Sequence, residues 1–192
     1  FLTQREYPRM ALIVPRVEGQ AMLLSAPGMP ALELSLSHDS ADMREVKIWD
    51  KVLPAADCGD AAAEWFAQAL GATCRLVRFS PEVERPTSTK WTAGVEAQAR
   101  FADGYPLLLI GAASLADLNT RLTTAGRAAL PMDRFRPNLV VDGLDPFEED
   151  YVASFSSADV DIAPVNPCAR CPIPAIDQAT GQPGPDPLDI LQ

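Results

Sequence analysis

Histidine is almost absent from this chain of 192 residues: His38 stands alone, in a polar stretch beside Asp39. A zinc site with imidazole ligands has little to draw on, and a Ser-His-Asp or Cys-His catalytic pair would rest on one solvated residue. Basic charge is short as well. Sixteen lysines and arginines face 26 aspartates and glutamates, a formal net charge of -10. That balance argues against non-specific nucleic-acid binding and against an anionic membrane surface, since both need basic patches. Long apolar runs are missing too. The best candidate, Tyr105 to Ala116, is broken by Gly111 and falls short of the roughly 18–20 residues of a bilayer span. Four cysteines are too few for a disulfide scaffold in a chain of this size and read as reduced, cytosolic thiols. No signal peptide and no Gly-rich phosphate loop is visible. A cytoplasmic protein is expected.

What is present suits an ordinary globular chain, with 47% hydrophobic and 22% charged residues, enough for one large domain or two small ones. Short strands are expected at Ala11 to Val14, Ala21 to Leu24, Ala31 to Leu36 and Arg44 to Trp49, separated by turn formers such as Glu18-Gly19 and Pro27-Gly28. Ala62, Trp65, Phe66, Ala69 and Leu70 fall at helical spacing, with Gly71 as the stop. Cys74 to Phe79 reads as a further strand, and residues 81–100 as a linker or long loop. Leu107 to Ile110 suits a buried strand. Ser114 and Asp117 have capping-box spacing ahead of the apolar stripe Leu115, Leu118 and Leu122 of a second helix. Leu139 to Val141, Tyr151 to Phe155 and Val160 to Val165 complete the strands. Beyond Cys171 five prolines from Pro172 to Pro187 bar a regular helix or a central strand.

The residues that point to chemistry lie late in the chain. In Pro167-Cys168-Ala169-Arg170-Cys171 a soft sulfur donor sits beside a guanidinium. That pair suits a metal cofactor carrying a phosphate, because thiolate binds soft metals and Arg offers a planar fork of donors. Arg170 would lower the Cys171 pKa. The same spacing also serves half a zinc site, a redox dithiol, or a small buried hydrophobe. Arg136 reads as an anion clamp or as a surface ion-pair partner, and Asn138, after Pro137, as a ligand contact or the end of a loop. Glu148-Glu149-Asp150 reads as a solvated face rather than a metal cluster, and Cys58 and Cys74 as structural.

Taken in order, Phe135 to Gly143, Pro146 to Asp150, Pro167 to Cys171 and Asp177 to Gly181 resemble a MOSC domain, the C-terminal domain type of molybdenum cofactor sulfurases. Upstream, Gln4 to Met10, Leu24 to Gly28 and Asp57 to Asp60 resemble the β-barrel-like region that accompanies it. The resemblance implies a β-rich α+β chain: an N-terminal β-barrel-like region over 1–85, and a MOSC-type β-barrel core with flanking helices over 86–192. It also implies a fragment cut at both ends, since the chain starts at Phe1 rather than Met and lacks the family's upstream Lys-Ser and Arg-Asp-Arg segments.

Functionally, the resemblance implies a molybdenum-dependent reductase of small N-hydroxylated compounds such as amidoximes, hydroxylamines and N-hydroxylated bases. A [2Fe–2S] ferredoxin domain or a reductase would donate electrons, and pyridoxal phosphate is not expected. Cys171 would be the catalytic metal ligand in molybdenum cofactor (molybdopterin). Arg136, Asn138, Ala169 and Arg170 occupy cofactor-contact positions. Asp103-Gly104-Tyr105 replaces an Asp-Thr-Ser of the amidoxime reducers, so Gly104 and Tyr105 would offer backbone N–H groups. The rival implication is a cofactor or sulfur carrier that reduces no organic substrate.

Overall fold

A computed structural model describes residues 1–37, 42–92, 94–169 and 171–191. The chain divides into two compact units, Phe1–Glu84 with Ile176–Pro183, and Arg85–Ala175 with Gly184–Gln192. Among the described residues, no helix is long and apolar enough to cross a membrane.

The first unit is built from hairpins. β1 (Val14–Glu18), β2 (Ala21–Ser25) and β3 (Leu32–Ser35) form an antiparallel sheet in that order. The Glu18–Ala21 pairing leaves a two-residue loop, and Gly19 there takes φ +58, a left-handed conformation that glycine adopts without a Cβ clash. The expected strand over Ala11 to Val14 is corrected. Pro8 opens a 3-10 turn over Pro8–Leu12, and the strand begins only at Val14. β4 (Met43–Ile48), β5 (Lys51–Asp57) and β6 (Val77–Phe79) form a second antiparallel sheet with β5 in the middle. The sequence reading had no strand at β5, where Pro54 removes one ladder donor. It is tolerated here because β6 pairs only with Ala55 to Asp57, leaving Pro54 beyond its end.

α1 (Asp60–Leu70) ends at Gly71 in the left-handed conformation, as the stop signal predicts. Its inward face supplies Trp65 and Ala69, which pack with Leu24 of β2 and with Met22, Leu32 and Leu34. The Trp65 indole N–H donates to the Pro30 carbonyl at 2.7 Å, so the ring's one polar atom is satisfied.

In the second unit β7 (Leu109–Gly111), α2 (Ala112–Thr124) and β8 (Leu139–Val141) make a β-α-β crossover with β7 and β8 parallel. Leu118 and Leu122 of α2 pack with Leu130, Phe135 and Ile190. β9 (Phe155–Ser156) and β10 (Asp161–Ile162) pair antiparallel and are shorter than the expected strands. The rest of the described residues are loop and 3-10 turn, including Met132–Phe135, Glu148–Asp150 and Ile173–Ala175, with an isolated antiparallel bridge between Pro86 and Gln98. The described residues thus form a β-rich α+β fold of four small sheets and two α-helices.

Candidate functional site

Three loop segments of the second unit carry the candidate residues. Arg136 follows the 3-10 turn Met132–Phe135 in the left-handed conformation (φ 55, ψ 45), and its N–H closes the turn on the Asp133 carbonyl at 3.1 Å. Its side chain is exposed and has no ion-pair partner among the described residues. Two residues on, Asn138 exchanges bonds with Leu108. The Asn138 N–H donates to the Leu108 carbonyl at 2.8 Å, and the Leu108 N–H donates to Asn138 Oδ1 at 2.9 Å. A side-chain carbonyl thus stands in for a main-chain acceptor, one step ahead of the β7–β8 ladder. Its oxygen is committed to the fold.

That rung ties Arg136-Pro137-Asn138 to the segment containing Gly104 and Tyr105, which ends in β7. Gly104 is exposed and Tyr105 half-buried, its hydroxyl donating to the Ser88 carbonyl at 3.3 Å. Just upstream one guanidinium gathers the turn. Arg85 donates to the carbonyls of Arg100 (2.8 Å), Ala102 (2.6 Å) and Asp103 (2.7 Å). Arg suits the task because its fork reaches several acceptors in one plane.

The third segment holds the cysteines. Cys171 is half-buried and Cys168 exposed, neither in a disulfide, and Ala169 is exposed. Arg170 lies outside the described residues, as does His38. Immediately after Cys171 the 3-10 turn Ile173–Ala175 packs on the turn Met132–Phe135. Arg134 makes the junction: nine-tenths buried, it donates from Nε to the Pro174 carbonyl at 2.8 Å and from Nη2 to the Ala175 carbonyl at 3.1 Å. Through these bonds the fold makes neighbours of the segments holding Arg136, Asn138 and Cys171.

Two expectations near the site are corrected. Ser114 does not cap α2. Gly111 holds the N-cap position and Ser114 lies within the first turn. Its hydroxyl is engaged with the Glu149 carboxylate at 2.6 Å and accepts the Phe147 N–H at 2.8 Å. Nor is Glu148-Glu149-Asp150 a wholly solvated face: Glu149 is buried, and Oε1 also accepts the Gly111 N–H at 2.9 Å. A carboxylate at a helix start meets exposed N–H groups and the positive end of the helix dipole. The fit is close enough that a Cβ on Gly111 would lie 2.7 Å from Glu149 Oε2. Nothing local distinguishes Glu149 from its acidic neighbours, because its partners lie 35 and 38 residues away.

In the first unit Asp57 ends β5, just ahead of α1. Its side chain is almost fully buried and bound by Arg44, by Arg75 (Nη2 to Oδ1, 3.0 Å) and by the Gly59 N–H at 2.8 Å. The Arg75 guanidinium leads in holding this carboxyl well below the usual carboxylate range, against the opposing effect of burial. Burial pushes the Cys58 and Cys74 thiols up, which keeps them protonated and poorly nucleophilic.

The arrangement is therefore a half-buried free thiol just ahead of a 3-10 turn that packs on the turn preceding the exposed Arg136, beside a β-α-β crossover. Comparison with known proteins assigns the chain to a family. The MOSC N-terminal beta barrel domain matches residues 1–73, and the MOSC domain matches residues 96–190. The chain belongs to the MOSC family. Among curated relatives, it is 35% identical to human "Mitochondrial amidoxime reducing component 2" and 31% identical to human "Mitochondrial amidoxime-reducing component 1". Each match covers all of this chain and 57% of the relative. It is also 29% identical to bovine "Molybdenum cofactor sulfurase" over 94% of this chain and 22% of that protein. The chain thus spans little more than half the length of the amidoxime-reducing relatives it matches.

Proposed function

We propose that this chain is the cofactor-binding part of a molybdenum-dependent oxidoreductase that reduces N-hydroxylated compounds. The observation that carries the reading is Cys171, a half-buried free thiol whose loop packs on the turn bearing Arg136. Further support comes from the names of the amidoxime-reducing relatives. The two units would correspond to the N-terminal region over 1–85 and the MOSC domain over 86–192.

The donor set fits molybdopterin-bound molybdenum. The cofactor brings its own dithiolene sulfurs, so one protein thiolate completes the soft ligand set. Cys171 would hold the metal. Arg136, without an ion-pair partner among the described residues, would bind phosphate through its fork, and Arg170 and Ala169 would add cofactor contacts. Backbone N–H groups at Gly104 and Tyr105 would add donors. Asn138, with its oxygen held by Leu108, would present its amide N–H₂. When bound, the cofactor supplies the two-electron redox chemistry. The overall reaction takes an N-hydroxyl compound, two electrons and two protons to the N–H compound and water. The electrons would come from a [2Fe–2S] domain or a separate reductase.

A second reading, a cofactor or sulfur carrier, is favoured by the match to the sulfurase. Reduction of benzamidoxime by the full-length protein with an artificial donor separates the two. For the site, Cys171→Ser should remove most bound molybdenum, measured by mass spectrometry, and Cys168→Ser should remove much less. Equal metal in both variants would take Cys171 out of the ligand role.

A further inference from the structure

The buried guanidinium of Arg134 has no part in that reading, yet it sits at the junction of two of the site's segments. Only 5% of its surface is exposed. Long charged side chains are seldom buried this deeply without partners. The partners here include main-chain carbonyls, Pro174 at 2.8 Å and Ala175 at 3.1 Å. The Ala175 oxygen also accepts the Gly184 N–H at 2.7 Å, so it is fixed from both sides. An ideal Cβ on Gly184 would lie 3.4 Å from Nη2, so the Gly184 backbone closes over the guanidinium. Pro174 lies three residues after Cys171, and Arg136 lies two residues after Arg134. One rigid group therefore holds the exit of the cysteine loop against the turn that presents Arg136.

We propose that Arg134 is a positioning residue for Cys171, acting through the carbonyls of Pro174 and Ala175 to set the thiol loop in register with Arg136. Buried carbonyls need partners, and this loop has prolines at Pro172 and Pro174 whose nitrogens donate nothing. Among the described residues, Cys171 to Ala175 belong to no strand ladder that could do the work instead. Arg134 takes the place of that ladder. Its value to the reaction rests on Cys171 being the metal ligand, whereas the positioning itself does not.

The test uses the full-length, reduced protein prepared without cofactor. Iodoacetamide labelling is followed cysteine by cysteine by peptide mass spectrometry, with Cys58, Cys74 and Cys168 as internal references. Arg134→Met, of similar length but with no donor, should raise the Cys171 labelling rate about tenfold, the order expected for losing charge-assisted bonds. The reference cysteines should stay near wild type. Arg134→Lys keeps the charge and a donor but not the fork, and should fall between the two. Should Arg134→Met not fold, selective acceleration at Cys171 in Arg134→Lys supports the positioning role. Wild-type labelling at Cys171 in the folded variants overturns it, and so does an equal rise at all four cysteines. Molybdenum content of the loaded protein separates the two claims. Accelerated labelling with wild-type metal leaves the positioning standing and overturns the ligand reading.

Discussion

The two units bury charge in opposite ways. In the first, the Asp57 carboxylate is enclosed mainly by other charges, the Arg44 and Arg75 guanidiniums, with one backbone N–H added. In the second, Glu149 meets a backbone N–H and a hydroxyl, and Arg134 meets backbone carbonyls. The difference follows from the backbone. Antiparallel hairpins satisfy their own peptide groups across the ladders, leaving a buried charge to find another charge. The loops around the candidate site have short ladders or none, so charged side chains complete the hydrogen bonding of the main chain. Loops held this way can present functional groups from a fixed position.

The largest expected effect tests the second mode. Glu149→Ala leaves the Gly111 N–H and the Ser114 hydroxyl unpaired in the interior, and should cost about 3 kcal/mol in chemical denaturation. Glu149→Gln keeps one acceptor and should lose roughly half of that.

Asp57→Asn comes next, at about 2 kcal/mol near neutral pH, because its arginine partners remain partly solvated. Its pH dependence sharpens the contrast. The folded carboxyl titrates below its unfolded value. Its contribution is therefore complete above the unfolded range, about pH 4, and fades as the pH falls through the depressed folded value. Wild type and Asp57→Asn should converge in stability on acidification. A constant gap between them down to strong acid would mean that the arginines do not set this carboxyl's ionisation. A larger loss in Asp57→Asn than in Glu149→Ala at neutral pH would reverse the ordering of the two modes.

The smallest effect concerns Asn138. Asn138→Ala deletes the exposed bond to Leu108 and should cost about 1 kcal/mol, whereas Asn138→Asp retains an acceptor and should stay within about 0.5 kcal/mol of wild type. Equal losses in both would show that the amide nitrogen, not the oxygen, holds this rung.

Much of the fold was legible locally. Alternation in Leu32 to Leu36, the helical stripe ending at Gly71, and the apolar run before α2 each encode an element within about a dozen residues. β5 was not read from the sequence, and only the finished sheet shows how its Pro54, which has no N–H to pair, is accommodated where β6 stops short of it. Cys171, Arg136 and Asn138 stand out through the family resemblance, since by themselves each has an ordinary structural reading as well. Glu149 does not stand out, since an acidic run reads as a solvated face, and nothing local to Arg134 or Asp57 announces their burial.

By itself the sequence determined where strands and helices can form, since periodicity and turn chemistry are local properties of the chain. It also singled out Cys171 and Arg136 as candidates for holding a soft, phosphorylated cofactor. Only the tertiary structure decided which charges are buried and what satisfies them. Burial and hydrogen-bond partners depend on groups brought together from 40 residues apart, as Arg134 and Pro174 are. No local pattern carries that information.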